Sequence, residues 1–309
     1  MFLCYHQPSF TYGLDTISLN KGDLDTMERD YRSILKKLMC LPENTPSAAV
    51  YLTIGVLPFE AQRDIEILGL LGQIAVCPSD QQSVKDVIFH NLTFYGNNLK
   101  GWGSLVRYIC HKYDLPDPLQ YMSNPWRADR WRGHCSQTVS RYWVEKLRSE
   151  AAAMDSLEHL DIESLNLDMP MNTWIQAGLN SEQSKKATVV SWMLLGVFKT
   201  RKRLFVMKKT KGDKCLACDE NKTENLSHLL LHCPFYGSIR EEYLPRLAVL
   251  NKNFSEIIKE EKNIIISILD PDSTLLPPQA RLNCKEAFTI SRSYCYDVYR
   301  KREKFYENK

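Results

Sequence analysis

The stretch KCLACDENKTENLSHLLLHCPF, Lys214 to Phe235, gathers three of the chain's ten cysteines and two of its seven histidines. Cys215 and Cys218 make a Cys-x2-Cys turn, nine residues separate it from His228, and four more separate His228 from Cys233. Thiolate and imidazole are the donors that a tetrahedral zinc ion takes. A Cys-x2-Cys turn sets two thiolates at a usable separation, and a following helix brings the rest. His228 and His232 lie four apart on one helix face and would give a Cys-Cys-His-His set; His228 with Cys233 gives Cys-Cys-His-Cys and needs the helix to loosen at its end. Pro234 favours that loosening and thiolate is the stronger donor, so Cys215, Cys218, His228 and Cys233 are the expected ligands, with His232 the alternative. The spacer is shorter than the roughly twelve residues of a DNA-reading ββα finger. A closed set of four ligands is the structural kind of zinc site, whereas three ligands with Glu224 as a neighbouring base would be the catalytic kind.

Elements must hold these donors. Thr223 is expected to cap a helix over Glu224 to His232 that stops before Pro234, with Leu229 and Leu230 packed inward beside the metal. An apolar helix from Val189 to Phe198 runs into Lys199–Lys211, which carries seven basic residues and no acid. Lys199, Arg201, Lys202, Arg203, Lys208, Lys209 and Lys211, joined by Arg240, focus positive charge next to the cysteines, as a nucleic-acid backbone would require. A rival arrangement has the zinc unit present Leu229, Leu230, Phe235 and Tyr236 to a protein partner.

The rest of the chain reads as mainly α: helical bundle and hairpins with a small C-terminal zinc-knuckle unit. A helix starts at Asp23 and carries Leu24, Met27, Tyr31, Ile34, Leu35 and Leu38 on one stripe until Pro42 stops it; Ile65, Leu68, Leu71 and Ile74 share the face of a second, and Val84 to Leu92 continues the bundle. From Gly101 to Cys135 the chain interleaves Trp102, Trp126 and Trp131 with Arg107, Lys112, Arg127, Arg130 and Arg132. Such rings can stack on bases while guanidinium groups hold phosphates, or the same residues can be an ordinary packed helix with surface arginines. Val139, Trp143, Leu147 and Ala151 mark a packing stripe in an acidic helical stretch over 139–165. Four segments follow: 1–96, thumb-like helices; 97–185, a helical connector; 186–250, the zinc-binding segment; 251–309, a helical tail.

With 309 residues, 44% of them apolar, the chain can bury a sizeable core. Its net charge of +3 confines any nucleic-acid affinity to a local patch. Neither a secretory leader nor an apolar run of membrane-spanning length is present, so an intracellular protein of nucleus or cytoplasm, with no membrane partner, is expected. The cysteines at 4, 40, 77, 110, 135, 284 and 295 stand singly and read as reduced, buried thiols. His111, His134 and His159 have no second ligand or catalytic partner at useful spacing and read as surface residues. Without a Gly-rich phosphate loop or a nucleophile with its base, no small-molecule substrate is expected.

The string CLACDENKTENLSHLLLHCPFYGSIR resembles the zinc-binding segment downstream of the polymerase domain in non-LTR retrotransposon reverse transcriptases. The family's Cys-x2-Cys, the Glu ahead of His and the His-x4-Cys-Pro fall on Cys215, Cys218, Glu224, His228, Cys233 and Pro234, which selects Cys233 as the ligand. Upstream, Pro42, Pro46, Ala49, Tyr51, Gly55 and Pro58 are similar to the turn that the thumb helices follow in that family. The resemblance implies a region that binds template RNA or target DNA and, as a further partner, the polymerase core. The sequence departs from the family in having no Asp-Asp pair to hold the two magnesium ions of reverse transcription. A nuclease is also not expected: Pro271-Asp272 is followed by an acid-x-Lys triplet only at Glu307–Lys309. A binding fragment without catalysis is the resulting expectation.

Overall fold

The computed structural model describes residues 12–78, 82–95, 101–178, 180–250 and 260–308. Among them there is no strand; the β-type pairing is one isolated antiparallel bridge between Lys214 and Thr223. The chain is mainly α, as the periodicities predict, and it divides into two compact units. One comprises the described residues up to Ile34 with Val56–Leu147; the other comprises Leu35–Gly55 with Arg148–Lys309.

The first unit contains most of α1 (Lys21–Leu38), α3 (Phe59–Ala75), α4 (Gln82–Tyr95), α5 (Trp102–Lys112), α6 (Pro118–Ser123) and most of α7 (Ala128–Ala152). The start of α1 lies two residues ahead of the expected Asp23, because Asn20 Oδ1 accepts the Asp23 amide at 2.9 Å and completes the cap. Its Tyr31 and Leu35 are buried as the stripe requires, but Leu38 is exposed. Cys40, at φ 51°, ends the helix, the Leu41 amide returning to the Lys36 carbonyl at 2.8 Å. Val139, Trp143, Leu147 and Ala151 are all buried along α7, as their spacing predicts. Trp131 is fully buried: its indole N–H donates to the Leu68 carbonyl at 2.8 Å and its ring stacks on Tyr121 with centroids 3.8 Å apart. Gly72 is required opposite that ring, since a Cβ there would lie 2.5 Å from Trp131 Cδ1. A buried charge network ties α3 to α5: Asp64 accepts from Arg63 at 2.6 Å, from Lys112 at 3.0 Å and from the Tyr113 hydroxyl at 2.8 Å.

The second unit contains α2 (Ser47–Ile54), α8 (Asn172–Ala177), α9 (Ser181–Leu194), α10 (Arg201–Val206), α11 (Gly237–Leu250), α12 (Glu261–Leu269) and α13 (Lys285–Glu307). The segment expected to form a turn between Pro46 and Pro58 contains α2, apolar on every side and buried over Ala48–Thr53. Gly55 ends it at φ 72°, and a Cβ there would lie 2.3 Å from the Met169 carbonyl. α13 packs along α9 and α11 through Phe288, Tyr294, Cys295 and Val298, all fully buried, so the expected tail is the spine of this unit. No helix of the described residues is long and apolar enough to cross a membrane.

Several expectations are corrected by burial. His159 is buried, at 8% exposure, while His111 and His134 lie on the surface as read from the sequence. Cys110, Cys135 and Cys295 are buried thiols, with burial pushing Cys110 up to about 12, but Cys40 and Cys284 are exposed. Cys4 lies outside the described residues. In the Trp/Arg segment Trp102 donates to the Asp15 carbonyl, Arg107 to the Leu92 carbonyl, and Lys112 to Glu60 and Asp64. These groups hold the fold together.

Candidate metal centre

Two local structures deliver the donors. The first is the turn closed by the Lys214–Thr223 bridge, in which the Cys215 amide donates to the Lys222 carbonyl and the Glu224 amide to the Asp213 carbonyl, each at 2.9 Å. Asn221, at φ 52°, supplies the left-handed residue the reversal needs. The second is the helical segment after it, and here the sequence reading needs correction. Thr223 does not cap it; its hydroxyl donates to Asp213 at 2.8 Å. Asn225 takes the role instead, its Oδ1 accepting the His228 amide at 2.8 Å.

From His228 to His232 the backbone is a π-helical turn, closed by the Cys233 amide donating to the His228 carbonyl at 2.7 Å. The wider i→i+5 loop is the loosening that Pro234 favours, and it brings Cys233 round to His228. Cys233 leaves the helix in extended conformation, and Pro234–Tyr236 form a 3-10 turn. His232 is exposed and points its Nε2 at Glu261 Oε2, 3.3 Å away.

The ligand atoms of Cys215, Cys218, His228 and Cys233 lie within 4.8 Å of one another, and this group can hold a metal ion. Four-coordinate bonds of about 2.3 Å to sulfur and about 2.0 Å to nitrogen set S···S edges near 3.8 Å and S···N edges near 3.5 Å. The Cys215–Cys233 sulfurs are 3.9 Å apart, and Cys218 Sγ is 3.4 Å from His228 Nε2. Burial pushes the Cys233 thiol up to about 12, raises Cys215, and lowers His228. The pocket therefore disfavours free thiolates and is suited to a cation that compensates them. His228 Nδ1 is buried with no protein hydrogen-bond partner.

Glu224 locks the centre to its surroundings. It is fully buried; Oε1 accepts from the Arg201 amide at 3.0 Å and from Arg302 at 2.7 and 3.1 Å, and Oε2 accepts from the Tyr306 hydroxyl at 2.7 Å. Both carboxylate oxygens of Glu224 are thus occupied within the fold, beside the four converging donors. The carbonyl of Leu230 accepts from the Tyr294 hydroxyl. Of the face expected to meet a partner, Leu229, Leu230 and Tyr236 are wholly buried in the core and Phe235 is half-buried.

The basic run forms α10 and its flanks. Thr200 Oγ1 caps it, accepting the Arg203 amide at 3.2 Å, and Lys208 at φ 57° ends it, with the Lys209 amide donating to the Leu204 carbonyl at 2.8 Å. Lys199, Lys202, Lys208, Lys209 and Lys211 are exposed; Arg203 is half-buried. Arg201 donates to the Gly212 carbonyl at 3.1 Å, and Arg240 donates to the Cys233 carbonyl at 2.6 Å with its Nη1 buried. These two arginines brace the knuckle, which the residue spacing did not reveal. No family model matches this chain, and neither the curated proteins nor the solved structures offer a match to it.

Proposed function

We propose that Cys215, Cys218, His228 and Cys233 bind one zinc ion as a closed structural site, and that the surrounding region binds nucleic acid without catalysing a reaction. The convergence of those four donors carries the reading. Three thiolates and an imidazole at tetrahedral spacing favour zinc over the oxygen-loving cations. Bound zinc supplies fixed thiolate and imidazole bonds in place of a larger core. The resemblance of this segment to the zinc-binding region of non-LTR retrotransposon reverse transcriptases supports the same conclusion, and it assigns the chain to the thumb-like and zinc-binding portion of such a protein. Lys199, Lys202, Lys208, Lys209 and Lys211, all exposed, would then lie along the backbone of template RNA or target DNA.

Metal analysis of the purified chain and of Cys233→Ser, with a salt titration of binding to a single-stranded RNA, tests this. One zinc per chain is expected, lost or weakened in the variant. Five lysine–phosphate contacts would give a slope of about −3.5 in log K against log salt, from about −0.7 per phosphate on single strands. Zinc with no RNA binding would sink the nucleic-acid half. A zinc-stabilised protein-interaction module is the second reading, favoured by exposed Phe205 (48%), Val206 (73%) and Met207 (38%) beside the lysines. Salt-insensitive partner binding would identify it.

A further inference from the structure

Within the second unit a cleft of about 780 Å³ opens beside the metal centre, walled by the turn at 155–159, the end of α9 with the following segment, α10, residues 225–227 and the start of α12. Its size is that of a small-molecule or cofactor site, far larger than one inorganic phosphate needs. Three cations line it: Lys202 and Arg203 from α10, and Lys262 from α12. The Arg203 guanidinium is half-buried and lowered by burial, and among the described residues it has no ion-pair partner.

A second observation points the same way. His159 lines the cleft while more than nine-tenths buried, and its Nδ1 is enclosed with no protein hydrogen-bond partner; its Nε2 lies 3.5 Å from Glu158. A buried polar atom left unmatched is costly, and a ligand atom is one of the few things that can satisfy it. Of the cleft's carboxylates, Glu261 is already taken up by the Ser227 hydroxyl and His232, whereas Asp155 and Glu158 are exposed. Met193, Phe198, Val206 and Ile265 give an apolar wall. Cations beside apolar surface and a few acceptors suit a ligand that carries a phosphate, a flat ring and an amine.

We infer that this cleft holds one phosphate-bearing nucleotide of a single strand, its phosphate on Lys202, Arg203 and Lys262 and its base against the apolar wall near His159. The inference rests on the nucleic-acid reading and gives it a seat: one nucleotide is taken out of the strand and held, while the exposed lysines follow the backbone.

The test uses the full zinc-loaded chain with three probes: the 5′-phosphorylated dinucleotide pApA, inorganic phosphate, and a 20-nucleotide single-stranded RNA. The readouts are the His159 ring resonances, assigned with His159→Gln, and binding isotherms. pApA is expected to shift those resonances at concentrations where inorganic phosphate does not. Arg203→Ala should weaken pApA about tenfold or more, as loss of a charge-assisted pair implies, with zinc content unchanged; Lys262→Gln should act in the same direction. If the RNA binds while pApA leaves His159 unmoved, the cleft assignment is overturned and the backbone-contact reading survives. If pApA binds at His159 and the RNA does not bind, the cleft is a site for a free nucleotide, and both the strand assignment and the nucleic-acid reading fall. An equal response to inorganic phosphate overturns the nucleotide assignment, and silence from all three probes overturns both.

Discussion

The segments Gly101–Cys135 and Lys214–Tyr236 are both dense in the side chains from which sites are made, and they use them in opposite ways. In the first, most polar atoms of the rings and cations end on the protein's own backbone and carboxylates, as Trp131 on the Leu68 carbonyl, Trp102 on the Asp15 carbonyl and Lys112 on Asp64, while Arg107 Nε and the Tyr121 hydroxyl are buried without a partner. In the second, the backbone is satisfied by the bridge, the Asn225 cap and the π turn, and three sulfurs and a ring nitrogen are left facing one another. Residue type is thus a weak guide to function. The stronger one is whether the heteroatoms are already matched within the fold, because a buried group matched internally has nothing left for a ligand.

Metal removal should separate the two segments most sharply. Structural zinc contributes about 10–16 kcal/mol of apparent binding energy in zinc-finger peptides near neutral pH, and a chain that uses it so loses local structure to a chelator. Chelation, or Cys233→Ser, is expected to expose Leu229, Leu230 and Tyr236 to hydrogen exchange while leaving amides around Trp131 protected. Equal protection at 228–236 with and without metal would mean that the sulfurs are ordinary core thiols.

The converse comes from Trp131→Ala, which empties a site with 0% exposure and is expected to cost about 3–5 kcal/mol with zinc content unchanged. Glu224→Gln should cost a similar amount, about 3–5 kcal/mol, because Arg302 would keep a buried charge with its closer ion partner gone and only Glu303, 3.4 Å away, remaining. Adding Arg302→Met to Glu224→Gln should recover part of the loss in a denaturant melt. No recovery would show that the Glu224 side chain acts through the Arg201 amide and Tyr306, and that the ion pair is incidental.

Why one segment was legible in the sequence and the other was not follows from the same contrast. The convergence of Cys215, Cys218, His228 and Cys233 is built locally, so spacing and Pro234 pointed to it within twenty-odd residues, with His232 left open until the family resemblance selected Cys233. The α7 stripe of Val139, Trp143, Leu147 and Ala151 is legible for the same reason, since a 3.6-residue period needs no partner to be seen. The buried state of His159, the bracing roles of Arg201 and Arg240, and the place of α13 as a spine depend on contacts between residues distant in sequence. Short-range spacing carries no trace of them. The helix over Ser47–Ile54 was hidden differently: the family resemblance suggested a turn there, and a segment apolar on all sides has no amphipathic period to reveal it.

A smaller pH-dependent effect is expected at the turn after α12. Burial, with Asp161 and Asp272 nearby, pushes the Asp270 carboxyl up to about 7. Its folded pKa lies above the unfolded value of about 3.9, so the folded state holds the proton more tightly. That contribution is complete below about pH 4 and is lost as pH rises through 7. Asp270→Asn should flatten the fall in stability between those values and gain up to about 4 kcal/mol at pH 7 and above, from about 1.4 kcal/mol per pH unit. Thermal melts of the chain and the variant at pH 5 and pH 8 decide it. An unchanged difference between the two pH values would place the titration on another group.

The smallest expected effect bears on the comparison itself. Arg127 is paired with Asp129 at 2.9 Å and Arg130 lies over the Trp126 ring at 5.4 Å, both arginines exposed. Of the exposed cations in the Trp/Arg segment, Arg132 is held by Glu66 of α3 at 2.8 Å, whereas the structure gives Arg127 and Arg130 no buried support. Arg127→Ala with Arg130→Ala is therefore expected to leave both stability and the salt slope of RNA binding unchanged within error. Lys208→Ala with Lys209→Ala should reduce the slope by about 1.4, two phosphates at about 0.7 each. If the arginine pair lowered the slope as much as the lysine pair, exposed cations beside an aromatic ring would be acting without any matched frame, and heteroatom satisfaction would fail to separate the two segments. If neither pair changed it, the charge that contacts nucleic acid would have to be sought at Lys199, Lys202 and Lys211, of which Lys202 lines the cleft.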